Sequence, residues 1–105
     1  MNTSKPISGE PVGFAMRIIS VLEETHLAAL TIGELAHALG LEERSLIRAI
    51  KPDQDLRMLL KVYPGRSAEG ELLLTTKQRF YRTAPLRTQL VDMFASHRVS
   101  LDDVV

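Results

Sequence analysis

The sequence predicts a mainly α domain that carries one small β-hairpin. Three observations lead there. Apolar residues recur at helical spacing from Val12 to Lys51. A glycine at position 40 falls between two of those amphipathic stretches, where a helix must end. After Pro52 the apolar residues alternate with polar ones, the period of a strand.

The first eleven residues, rich in Ser, Pro and Gly, predict a flexible N-terminal arm over 1–11. From Val12 the apolar side chains of Ala15, Ile18, Ile19 and Leu22 share one helical face, and a first helix should end near His26. Thr31-Ile32-Gly33-Glu34 matches a capping box, in which threonine and a glutamate three residues on satisfy each other's open amides. A second helix then buries Ile32, Leu35, Ala36 and Leu39, and Gly40 closes it by adopting a left-handed turn without steric cost. Leu41 re-enters the core. A third helix from Glu42 to Lys51 buries Leu46, Ala49 and Ile50 and stops at Pro52, which has no amide to donate. Leu56, Met58, Leu60 and Val62 then predict a strand, Pro64–Gly70 a turn-rich tip, and Glu71–Lys77 the returning strand. Pro85 opens a last helix with Leu86, Leu90 and Phe94 in a stripe.

Bulk composition bounds the function. The chain has 105 residues, 45% hydrophobic and 25% charged, which fits one ordinary globular domain and not a disordered chain. With no cysteine, disulfides, zinc-thiolate sites and thiol nucleophiles are excluded. The N-terminus has no secretory pattern, and Val12–Leu30 is interrupted by Arg17, Glu23, Glu24 and His26, so neither a leader nor a membrane span is predicted; the expected location is cytoplasmic. The net charge is zero, yet it is unevenly spread. Residues 1–43 hold two basic residues against six acids, whereas residues 44–98 hold eleven against five. A neutral protein can still present one basic face, and a polyanion feels the local field.

Three helices followed by a hairpin is the order of a winged helix-turn-helix, here a three-helix core plus wing over 12–83 with a C-terminal helix and tail over 84–105. Ala36 is small enough for the third helix to cross closely, and Leu39, Leu41, Leu46 and Ala49 lock the pair. In such units the outer face of the third helix enters the DNA major groove. That face carries Glu43, Arg44, Ile47, Arg48 and Lys51. Arginine suits it because one guanidinium makes two parallel hydrogen bonds to a guanine edge. Thr31 and Ser45 are placed to donate to phosphate oxygens, and Lys61, Arg66 and Lys77 add positive charge on and beside the wing. The bland reading of the same charges is pairing on a solvated surface, with Glu43 or Asp53 neutralising Arg44 and Lys51.

TIGELAHALGLEERSLIRAIK, Thr31–Lys51, resembles the N-terminal DNA-binding domain of IclR-type regulators and also MarR-type domains. That resemblance spans roughly Phe14 to Arg82. It implies double-stranded DNA as partner, a role in transcription, replication or partition, and Arg44, Ser45 and Arg48 as base and phosphate contacts. Glu42-Glu43 depart from it, because two acids would repel phosphate there. The same stretch is similar to the first winged-helix domain of the cullin C-terminal region, through Phe14-Ala15-Met16, Leu41–Arg48, Leu59-Leu60-Lys61, Pro64-Gly65 and Phe80. That likeness implies a protein-binding scaffold element instead of a DNA reader. A chain of this length starting at Met1 is expected to be a small regulator, since the other cullin domains are missing.

No catalytic residue, metal or cofactor is predicted. Glu34-x-x-His37 has the spacing of a di-iron half-site, but such a site needs a second copy and two more glutamates. His37, His26 and His97 read as ordinary helix residues, and Asp102 and Asp103 as a solvated tail. The apolar stripe Leu86, Leu90 and Phe94, with Met93 beside it, exceeds what a winged-helix core needs. It predicts a homodimer, with folding back over the first helix as the alternative.

Overall fold

The computed structural model of the chain describes residues 10–94 and 101–104. Among them the order is α1 (Glu10–Glu24), α2 (Ile32–Leu39), α3 (Glu43–Ile50), α4 (Gln54–Leu59), β1 (Leu60–Arg66), β2 (Leu72–Thr76), α5 (Lys77–Thr83), α6 (Leu86–Phe94) and a 3₁₀ turn (Leu101–Asp103). The fold is mainly helical with one antiparallel hairpin. Most of the expected arm, and His97, lie outside the described residues; α1 already begins at Glu10.

Local caps explain where the central helices start and stop. The Thr31 hydroxyl accepts from Glu34 N at 3.0 Å while the Glu34 carboxylate accepts from Thr31 N at 2.8 Å. Gly40 sits at φ +73°, and Leu41 N donates to Ala36 O at 2.9 Å, so the last carbonyls of α2 are satisfied as the chain turns into α3. Leu35, Ala36 and Leu39 from α2 meet Leu46 and Ile50 from α3 and Ile18 and Leu22 from α1, all in one buried cluster. His26 is exposed beyond the end of α1.

Two elements differ from the sequence reading. Residues 54–59 are helical where a strand is predicted. The Asp53 carboxylate accepts from Leu56 N at 3.0 Å and so caps α4. Burial follows a helical step: Leu56 and Leu60 are buried, while Met58 is 67% exposed. The second difference is α5, where Thr76 leaves the strand and its hydroxyl accepts from Arg79 N at 3.0 Å. That helix closes the end of α1, with Arg79 Nη1 donating to Leu22 O at 2.6 Å and Arg82 pairing with Glu23 at 2.9 Å.

In the hairpin Leu60 faces Thr76, Lys61 faces Thr75 and Val62 faces Leu74. Tyr63, Pro64 and Gly65 then stand opposite Leu73 alone before Arg66 meets Leu72. Across the other edge of β2, Leu30 exchanges both backbone hydrogen bonds with Leu74, at 2.9 and 2.6 Å. The hairpin is thereby tied to the residue that precedes the α2 cap. Phe80 from α5 fills the space beneath β1, with the Tyr63 ring edge-on at 5.6 Å.

α6 is inverted in polarity. On α6 the buried residue is Asp92, and Thr88 and Gln89 are half-buried beside it. Leu86, Leu90, Val91, Met93 and Phe94 are exposed, Phe94 by 74%. Asp102 and Asp103, expected as a solvated tail, are exposed, on a turn that lies on the body. Leu101 and Val104 pack against the core, and Asp102 pairs with Arg57.

Candidate nucleic-acid interface

α3 presents two unlike faces. Leu46 and Ile50 are fully buried, Ile47 and Ala49 are half-buried, and Arg44, Ser45, Arg48 and Lys51 are exposed. Arg44, Arg48 and Lys51 follow one another at four and three residues, so they line one side of the helix. Glu42 precedes the helix without capping it through its side chain, which leaves the first amides of α3 open. Glu43 is turned away toward α2. Its carboxylate lies against Gly33, 2.9 Å from where a Cβ would stand. A negative group there is favoured by the positive end of the α2 dipole.

Tertiary contacts divide the basic residues into two sets. Arg17 donates to Leu39 O, Arg79 to Leu22 O, and Arg82 pairs with Glu23. Arg57 pairs with Asp102, and Lys61 with Asp92 at 2.9 Å. Arg66 donates to Gly70 O at 3.0 Å across the hairpin tip, although it remains exposed. The side chains of Arg44, Arg48, Lys51, Lys77 and Arg87 make no hydrogen bond or ion pair among the described residues. Two of those five, Arg44 and Arg48, stand on α3, and Lys51 is its C-cap.

Several residues expected at the interface are thus placed differently. Lys61 does not reach outward: its side chain is 13% exposed, and its ammonium stands 4.8 Å above the Phe80 ring. Thr31 is buried, and its hydroxyl accepts from Glu34 N within the α2 cap, so it does not stand on the exposed face. Lys77 is exposed at the first turn of α5. The sequence could not show that Arg79 and Arg82 serve α1, nor that Arg57 serves the C-terminal turn, because each partner is distant in the chain. Glu23 responds to this arrangement. The hydrogen bond from the Thr76 hydroxyl, and after it the Arg82 guanidinium, hold its carboxyl below the ordinary value.

A groove runs between the hairpin tip and α2, lined by Thr31, Ile32, Arg66, Gly70, Leu72 and Asp103. Among the described residues no cluster of three His, Cys, Asp or Glu side chains is arranged to hold a metal ion. No described helix is long and apolar enough to cross a membrane. Compared with family models, curated proteins and solved structures, the chain matches none.

Proposed function

We propose that this chain is a winged helix-turn-helix domain that binds duplex DNA through the outer face of α3. The observation that carries the reading is the division of the basic residues. Six cations are held by the chain itself, while Arg44, Arg48 and Lys51 are left together on one helix face. Supporting it, α2 and α3 meet at a left-handed glycine, and the Leu30–Leu74 bridge ties the hairpin to α2 in the manner of a wing. The half-buried Ile47 between Arg44 and Arg48 gives the face an apolar contact of the kind that meets a thymine methyl group.

Fluorescence anisotropy with genomic duplex fragments tests this. Affinity should fall with salt at a log–log slope of about −3 if the three α3 cations each displace a counterion. Arg48→Ala should weaken binding to the preferred fragment by about 1–3 kcal/mol and relax its sequence preference. No binding to any duplex at low salt, with recovery of a stable protein partner, would replace this reading with the cullin-like scaffold.

The same reading includes a homodimer through α6. Leu86, Leu90 and Phe94 face outward while Thr88, Gln89 and Asp92 face the body, the reverse of a helix that packs only on its own chain. Pairing two copies about a two-fold axis would cover Leu86, Leu90 and Phe94 and set two α3 helices side by side for a palindromic site. Light scattering at micromolar concentration should give a dimer mass, and Leu90→Lys should give a monomer with an unchanged circular dichroism spectrum. A monomeric mass for the unaltered chain refutes the dimer.

A further inference from the structure

An acid begins the helix whose outer face is proposed to meet phosphate: Glu43 is the first residue of α3. Seven residues separate it from Ile50, close to two helical turns, so it leaves α3 from the row that Ile50 buries. Arg44, Arg48 and Lys51 stand on a neighbouring row. The Glu43 carboxylate lies against Gly33 in the first turn of α2. One oxygen is 2.9 Å, and the carboxyl carbon 3.5 Å, from where a Cβ on residue 33 would stand. That is closer than a real Cβ approaches a neighbouring atom, so any side chain at 33 would displace the carboxylate. Among the described residues Glu43 forms no ion pair, and its charge is not spent on the α3 cations.

We infer that Gly33 is a positioning residue for DNA binding: the space of its missing side chain seats the Glu43 carboxylate against α2 and keeps it off the basic row of α3. The inference rests on the DNA reading above. The seat suits the charge, because the start of α2 carries the positive end of the helix dipole. With a methyl group at 33 the far end of Glu43 is the part that yields, since it is exposed and flexible while the backbone of α2 is not. Its way inward is closed by the fully buried Leu46 and Ile50. The carboxylate therefore moves outward, past Ile47 and toward Arg44. There it pairs with a cation that the duplex would otherwise use, and it repels phosphate at short range. The lost contact is to phosphate and not to a base edge, so the effect falls on all sequences alike.

The test measures the full chain, Gly33→Ala, Glu43→Gln and the double variant on one preferred and one random duplex across a salt series. Gly33→Ala should weaken both duplexes about two- to fivefold and bring the salt slope from about −3 to about −2, as one cation becomes paired within the protein. Its circular dichroism spectrum should be unchanged, because alanine is the stronger helix former. Glutamine keeps the bulk of glutamate without its charge. Gly33→Ala/Glu43→Gln should therefore recover both affinity and slope, whereas Glu43→Gln alone should shift affinity by less than about twofold. Glu43→Asp, whose arm is one methylene shorter and falls short of Gly33, should lose affinity as Gly33→Ala does. Full affinity in Gly33→Ala, a loss that Glu43→Gln does not recover, or an equal gain from Glu43→Gln with and without Gly33→Ala overturns the positioning role and leaves the DNA reading standing. Should Gly33→Ala lose its helical spectrum, equal affinities of Glu43→Asp and Glu43→Gln overturn the role, and a loss confined to Glu43→Asp supports it. Absence of binding by every protein at low salt overturns the DNA reading and the positioning role with it.

Discussion

Replacing Phe80 with alanine should destabilise the fold by about 3–5 kcal/mol, the range for emptying a buried aromatic site. Phe80 is 1% exposed and stands at a junction. Tyr63 meets its ring edge-on at 5.6 Å, Tyr81 at 5.1 Å, and the Lys61 ammonium lies 4.8 Å from its centroid. Truncation therefore removes apolar contact from β1 and also the ring beneath a poorly hydrated cation. A domain of this size has a total stability of roughly 5–15 kcal/mol, so the variant sits near the edge of folding. Thermal melting followed by circular dichroism reads the loss as a fall in midpoint of about 12–30 °C. A fall of only a few degrees would show that Phe80 does not hold the hairpin to α5.

The second large effect is expected at Asp92. Asp92→Ala leaves Lys61 without its carboxylate in a place where the lysine side chain is 13% exposed and the aspartate 12%. Removing one member of such a pair costs about 3–5 kcal/mol, because the remaining charge stays out of water uncompensated. Lys61→Met combined with Asp92→Leu removes both charges and should recover most of the loss. Chemical denaturation of Lys61→Met, Asp92→Leu and the double variant, beside the unaltered chain, provides the double-mutant cycle. If Asp92→Ala and the double variant are equally unstable, the pair is not what seats α6 on β1. This pair also explains why α6 shows its apolar side outward: the anchor that fixes the helix is polar.

The parts of this architecture that were legible in the sequence are those made by neighbours in the chain. Thr31, Glu34 and Gly40 act within a few residues of themselves, so the two ends of α2 could be read directly. Residues 54–59 were open to misreading, because Leu56 and Leu60 fit both a strand and a helix. The cap at Asp53 decides between them, and the alternation of Met58 with its neighbours outweighed that signal. The start of α5 was hidden for the same reason, since Thr76 both ends β2 and caps the helix after it. At the candidate site the α3 face could be read from spacing. Which cations were already engaged could not, because Lys61, Arg57 and Arg79 find their partners only through the tertiary fold.

The two-stranded ribbon has a consequence for how copies of this chain meet. A short sheet ends in backbone groups that invite another strand, and such recruitment leads to fibres and swapped aggregates. In β1 the ladder loses register over Tyr63, Pro64 and Gly65, and Pro64 has no amide to offer an incoming chain. A visiting strand would find neither a straight edge nor an unbroken row of donors. Self-association by sheet extension is disfavoured along that stretch.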